Sequence, residues 1–126
     1  MDSSNPKKLV DATATILELK AMVNQFVQER SWGTFHSPKN LAMSIAIEAA
    51  ELMEHFQWVN PVAPPNSTSH DSPVAQELAD VMAYSLALAN VLNIDISRAL
   101  EFKMELNKAK YPIGADFIPK GISSPS

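Results

Sequence analysis

The chain has 126 residues, 46% of them hydrophobic and 19% charged, with a formal net charge of -4 at pH 7. This length and composition are typical of one globular domain with a single core, and the lack of cysteine excludes disulfides, cysteine-ligated metals and a thiol nucleophile. The three glycines, Gly33, Gly114 and Gly121, are not spaced to form a GxGxxG turn or a P-loop. The net negative charge and the absence of a basic run argue against polymeric nucleic acid as a partner.

Apolar spacing at intervals of three and four predicts four helices. They are expected over Leu9 to Arg30, Pro38 to Val59, Val74 to Leu92 and Ile96 to Lys110. Ser37 and Ser72 each precede a proline, which predicts a capping serine with proline at the first helical position. Asp95 is expected to cap the fourth helix, and residues 61–72, which contain three prolines, are expected to form a loop.

No segment shows the alternation of apolar and polar residues that is typical of a β-strand. The sequence therefore predicts an all-α subunit of four-helix-bundle type, with a single domain over residues 1–112 and an irregular tail over residues 113–126. The polar start from Met1 to Lys8 contains no apolar segment, which favours a cytoplasmic location.

Charge is nearly absent from the third predicted helix. Only Glu77 and Asp80 are charged, and they are expected on one stripe with Tyr84. The opposite side is expected to carry Ala79, Ala83, Leu86 and Ala87. A helix that is apolar nearly all round is buried, and the uncharged run from Val81 to Leu92 is too short to cross a membrane.

The second predicted helix carries Glu48 and Glu51 one turn apart, with apolar residues on both flanks. Its main apolar stripe is Leu41, Ile45, Ala49, Leu52 and Phe56, and its far side includes Ala42, Met43, Ala46, Ala50 and Met53. Glu54 points away from the other two acids. Two such helices carry more apolar surface than a small monomer hides, which predicts a homo-oligomer, either a dimer or a tetramer.

Four carboxylates are thus expected to converge from two buried helices. Burying unpaired charge costs several kcal/mol per ion, and a hard divalent cation such as Mg²⁺, with Mn²⁺ as a substitute, would neutralise it. The alternative is that these acids lie on the surface or pair with Lys and Arg. A di-iron bundle needs Glu-x-x-His on two helices, and no histidine of this chain has Glu three positions before it.

The motifs Glu48-Ala-Ala-Glu51 and Glu77-Leu-Ala-Asp80 resemble the ExxE and ExxD pair of the MazG-like, all-α nucleoside triphosphate pyrophosphohydrolases, most closely the dCTP pyrophosphatase branch. Further segments in the family's order are Trp32 with Phe35 to Leu41, Phe56-Gln57-Trp58, and Lys103 with Asn107 to Pro112. The resemblance covers Leu19 to Pro112. It implies Mg²⁺-dependent hydrolysis of a (deoxy)nucleoside triphosphate, dCTP or a related or modified dNTP, to the monophosphate and pyrophosphate.

The resemblance also implies a set of site residues. The metal ligands would be Glu48, Glu51, Glu77 and Asp80. The substrate-binding residues would be Trp32, His36, Asn40, Trp58, Tyr84, Lys103, Asn107, Lys110 and Tyr111. In this set, aromatic residues would stack on the base, Tyr84 would meet the sugar, and the stripe on the fourth helix would meet the phosphates.

Each of these roles has a structural alternative. The aromatic residues could be core packing, Asn40 could only satisfy a helix end, and the lysines could form a solvated face. His36 and Trp58 lie at the two ends of the second helix. A shared base pocket therefore needs either a second subunit or a fold-back of the turn from Trp32 to His36.

Several questions stay open at the level of sequence. A helical dimerisation or regulatory module that binds nucleotide or metal without turnover is the alternative to an enzyme. The choice of base depends on pocket shape, and spacing does not separate sanitation of aberrant nucleotides from control of the normal pool.

Overall fold

A computed structural model describes residues 8–59 and 65–114. Within these residues the chain forms four α-helices and no strand, which confirms the all-α prediction. The helices are α1 (Ile16–Glu29), α2 (Pro38–Glu54), α3 (Pro73–Leu92) and α4 (Ile96–Lys110), with a 3₁₀ turn, Trp32–Phe35, between α1 and α2. Most of the predicted irregular tail lies outside the described residues, as do residues 61–64 of the predicted loop.

The first helix begins at Ile16, so its predicted start at Leu9 is wrong. Thr15 has an extended backbone and caps the helix: its hydroxyl accepts from the Glu18 amide at 3.1 Å, and the Glu18 carboxylate accepts from the Thr15 amide at 3.0 Å. This reciprocal capping box gives hydrogen-bond partners to two backbone amides that have no acceptor within the helix, and so fixes the helix start at Ile16.

The second helix ends at Glu54, whereas the sequence predicted its end at about Val59. After Glu54 the backbone closes short turns, with the amides of Phe56 and Gln57 both donating to Met53 at 2.9 and 3.0 Å.

Local capping explains the remaining helix ends. Ser37 and Ser72 accept from the third amide of their helices at 3.2 Å each, as their Ser-Pro pairs predict. Asn93 adopts a left-handed conformation (φ 55°) and ends α3, and Asp95 caps α4 by accepting from Arg98 at 3.0 Å. The fourth helix has the predicted bounds.

The core lies where α3 packs against α2 and α1. Its buried apolar residues are Val27, Leu41, Leu86, Ala87 and Ala89. The most extensive helix contact is between α2 and α3. By contrast, α4 follows α3 at a bend of 104° and buries no residue. Met82 and Leu78 on α3 are 49% and 57% exposed, so the predicted burial of α3 holds only for part of its surface in one chain.

Among the described residues, no helix is by itself long and apolar enough to cross a bilayer. Only α3 and α4 taken together meet that criterion, as a pair with the 104° bend between them.

Candidate functional site

Three carboxylates meet where α2 packs against α3. Oxygens of Glu48, Glu51 and Glu77 lie within 4.8 Å of one another, and all three residues are half-buried. Glu48 and Glu51 are one turn apart on α2, and Glu77 faces them from α3. We call these three residues the acidic cluster.

The acidic cluster carries unsatisfied polar atoms. The Oε2 atoms of Glu48 and Glu77 are buried and have no hydrogen-bond partner. In the described part of the chain, the ion pairs are Arg30 with Glu29 and Lys108 with Glu105. No Lys or Arg there pairs with the acidic cluster, which argues against the alternative that these acids are neutralised by basic side chains.

Burial raises the pKa of the Glu48 carboxyl from its ordinary 4.5 to about 7. The carboxyl of Glu51 contributes next, by hydrogen bonding and by charge, followed by hydrogen bonding to Glu77 and the charge of Asp80. Each of these neighbours disfavours a second negative charge at Glu48. The geometry therefore leaves the acidic cluster short of positive charge.

This donor set fits a hard divalent cation. Such ions prefer carboxylate oxygens and bind through unsatisfied lone pairs of the kind that Glu48 and Glu77 present. Asp80 lies one turn after Glu77 and is exposed. It acts on Glu48 through its charge, but its oxygens are outside the group of three that lie within 4.8 Å of one another.

An aromatic cavity of about 220 Å³ adjoins the acids through Asp80. It is lined by Val23, Phe26, Val27, Trp32, His36, Asp80, Ala83, Tyr84 and Ala87. Larger clefts of about 570 and 680 Å³ occur elsewhere on the surface, and none of the four acids Glu48, Glu51, Glu77 and Asp80 lines them. Asp80 therefore links the aromatic cavity to the acidic motif of α3.

Four rings form a connected wall in this cavity, which we call the aromatic wall. The ring centroids of Phe26 and Trp32 are 5.4 Å apart at 79°, those of Trp32 and His36 are 6.5 Å apart, and those of His36 and Tyr84 are 6.4 Å apart. The edge-to-face contact between Phe26 and Trp32 is a favourable arrangement for aromatic rings.

The turn from Trp32 to His36 folds back against α1. Ser31 reverses the chain with a left-handed backbone (φ 55°), and the 3₁₀ turn then contacts α1. Arg30 covers the other face of Phe26, with its guanidinium 3.8 Å from the ring centroid. This fold-back is onto α1 and does not bring His36 and Trp58 into one pocket, because Trp58 does not line the aromatic cavity.

One predicted face of α3 is wrong. Ala83 and Ala87 were expected opposite Asp80 and Tyr84, yet all four residues line the aromatic cavity. Their spacing explains this, because residues three, four and seven positions apart share a helix face. Sequence reasoning also missed Phe26 as part of the cavity, although its place on the apolar face of α1, just before the turn, was a usable signal.

Several expected substrate residues are not brought together in one chain. Trp58 is 87% exposed and does not line the aromatic cavity. Lys103 instead lines an apolar cleft beside Ile16 and Met82. The ammonium group of Lys110 lies 5.4 Å from the ring centroid of Tyr111, and Asn107 is half-buried on α4.

Asn40 takes the local role that was its structural alternative. Its side-chain amide donates to the Phe35 carbonyl at 3.0 Å, and its backbone amide donates to Ser37. These two hydrogen bonds of Asn40 connect the first turn of α2 to the preceding turn, which carries His36.

The chain is similar in sequence and in fold to proteins that are named as pyrophosphatases. The dCTP pyrophosphatase 1 of Rattus norvegicus is 35% identical over 102 residues, and that of Homo sapiens is 36% identical over 101. These alignments cover 79% and 78% of this chain, and the chain spans about 60% of the length of both relatives. A solved pyrophosphatase from Archaeoglobus fulgidus is 37% identical, with a TM-score of 0.67 over 83% of this chain and 99% of that one.

A family model described as MazG-like matches residues 43–118, which include α2 from Met43 onward, α3 and α4. Both acidic motifs lie within the match. The turn that carries Trp32 and His36 precedes it. With the family match covering more than half of the sequence and both acidic motifs in place, the chain belongs to the MazG-like family.

Proposed function

We propose that the chain hydrolyses a deoxynucleoside triphosphate, dCTP or a related or modified dNTP, to the monophosphate and pyrophosphate in a Mg²⁺-dependent reaction. One observation carries this proposal: Asp80, one turn after Glu77 of the acidic cluster, lines a small aromatic cavity. A site for phosphates beside a site for a base is the arrangement that a nucleotide requires. The names of the relatives support the same reaction and the same base.

Glu48, Glu51, Glu77 and Asp80 would hold the cation. When bound, Mg²⁺, or Mn²⁺ in its place, supplies polarisation of the phosphate oxygens and acidification of a water. The protein's own contribution is to hold these carboxylates on two packed helices. Their charge repulsion in the free protein, seen in the raised pKa of Glu48, would be relieved by a cation.

The aromatic wall would bind the base. A cavity of about 220 Å³ is smaller than the roughly 300–1,000 Å³ of sites that enclose a drug-sized ligand, so it suits one part of a nucleotide. Trp32 and His36 offer ring faces for stacking, which contributes roughly 1–3 kcal/mol per base. Tyr84 lies one turn beyond Asp80, between base and phosphate sites, where a sugar would be.

A homo-oligomer would complete the site. Large apolar side chains on the backs of α2 and α3 are about half exposed, at 54% for Met43, 56% for Ile47 and 57% for Leu78. In one chain, the residues lining the aromatic cavity include none from α4. We propose that a second copy covers these apolar faces and supplies Lys103, Asn107 and Lys110 to the phosphates.

The direct test measures pyrophosphate release from each of the four common dNTPs and from modified cytosine dNTPs. We expect release with Mg²⁺, highest with a cytosine base, and none with EDTA. Binding of dCTP without pyrophosphate release at any Mg²⁺ concentration would support the non-catalytic module instead. Glu54→Gln is the matched control for replacement of Glu48 by glutamine, because Glu54 is an exposed acid at the end of the same helix.

A further inference from the structure

Two hydrogen bonds join α1 to the C-terminal end of α3. The side-chain amide of Asn90 donates to the backbone carbonyl of Lys20 at 3.0 Å, and the Lys20 ammonium donates to the carbonyl of Ile94 at 2.9 Å. The residues joined are 70 and 74 positions apart in sequence. We call this pair of bonds the Lys20–Asn90 latch.

The latch holds α1, the helix that carries Phe26 of the aromatic wall and supports the turn with Trp32. Phe26 is on α1, and the 3₁₀ turn with Trp32 packs on α1. In turn, α1 packs against α3, which contributes Tyr84 and Asp80 to the lining of the same cavity. The width of the aromatic cavity therefore depends on how α1 is seated on α3.

Behind His36 the packing is incomplete. A second cavity of about 160 Å³ is lined by Asn90, Gln28 and Gly33 and shares His36, Val27 and two further residues with the aromatic cavity. Because this space is not filled by side chains, packing alone does not fix His36 from behind. Asn90, at the edge of this space, ties the wall's supporting helix to α3.

We infer that Asn90 is a positioning residue for the base site, acting through the Lys20 carbonyl to hold Phe26 and Trp32 of the aromatic wall in place relative to Tyr84 on α3. This inference rests on the proposed function for its meaning in catalysis. The acidic cluster is carried by α2 and α3 and does not include α1. Loss of the latch should therefore weaken substrate binding and leave metal binding and the chemical step unchanged.

The test compares Asn90→Ala and Asn90→Asp with a matched control. Asn90→Asp keeps the shape of the side chain and removes the donor. Ser85→Ala is the control, because Ser85 is half-buried on the same helix but donates only within it, to the Val81 carbonyl at 2.7 Å. We expect both Asn90 variants to raise KM about three- to tenfold, with kcat and the Mg²⁺ concentration for half-maximal activity within about twofold of wild type.

The inference would be overturned if the Asn90 variants left KM unchanged or lowered kcat by as large a factor as they raised KM. It would also be overturned if Ser85→Ala raised KM as much as they do. A second measurement uses the nucleotide-free protein and is independent of activity. In a Trp58→Phe background Trp32 is the single tryptophan, and Asn90→Ala should increase its quenching by iodide while Ser85→Ala should not. If wild type hydrolyses no nucleotide but this quenching changes as expected, the proposed function fails and the positioning of the wall stands; unchanged quenching refutes the positioning.

Discussion

Replacing Glu48 by glutamine should stabilise the metal-free protein at neutral and alkaline pH while abolishing its activity. The physical reason is the cost of ionising Glu48 among Glu51, Glu77 and Asp80 in a half-buried position. Glutamine keeps the shape of the side chain and carries no charge, so it removes that cost.

The direction follows from the two pKa values of Glu48. The pKa is about 7 in the folded protein against an ordinary 4.5, so between these values the folded state binds more protons than the unfolded state. The stabilisation from this proton is complete below about pH 4.5 and is lost as the pH rises through 7. Wild type without metal should therefore become less stable from pH 5 to pH 8, relative to Glu48→Gln.

The size of the effect is bounded by the same values. A change from 4.5 to about 7 corresponds to about 3 kcal/mol at 1.36 kcal/mol per pKa unit. Because Glu48 is partly exposed, solvent screens its neighbours, and we expect about 1–2 kcal/mol to be measured.

Urea unfolding of EDTA-treated protein at one protein concentration, at pH 5, 6, 7 and 8, gives this difference directly. Added Mg²⁺ should stabilise wild type more than Glu48→Gln, since the cation requires the ionised carboxylate. Glu54→Gln should follow the wild-type profile. Parallel pH profiles for wild type and Glu48→Gln would refute the account of the acidic cluster.

Three further predictions concern the site and the assembly. Glu51→Gln, Glu77→Gln and Asp80→Asn should each lower turnover more than about a hundredfold with unchanged circular dichroism, because each removes a charged ligand; near-wild-type activity in two of them contradicts the metal assignment. His36→Ala should weaken dCTP binding by roughly 1–3 kcal/mol in calorimetry with Ca²⁺ in place of Mg²⁺, and Trp58→Ala should do the same through a second copy, because Trp58 is 87% exposed in one chain; unchanged affinity in both would refute the base-site assignment. Light scattering at micromolar concentration should detect no stable monomer, whereas a folded monomer would mean that the exposed apolar faces need no second copy.

The sequence by itself determined the features that depend on neighbours within one or two helical turns. Ser37, Ser72 and Asp95 cap the helices that they were expected to cap, because a cap is formed with an amide three residues away. Likewise, ExxE and ExxD spacing places each pair of acids one turn apart on one helix. The start of α1 was readable in the same way from Thr15 and Glu18, and the apolar spacing that extends toward Leu9 concealed it.

Only the tertiary structure decided what depends on how helices cross. The meeting of Glu48 and Glu51 with Glu77, and the rise in the pKa of Glu48, follow from the register of α2 on α3. The 104° bend between α3 and α4 and the place of Lys103 in an apolar cleft beside Met82 follow in the same way from tertiary packing. Local spacing in the sequence does not encode these features. Burial and charge proximity between distant residues arise only when side chains from different helices share one desolvated volume.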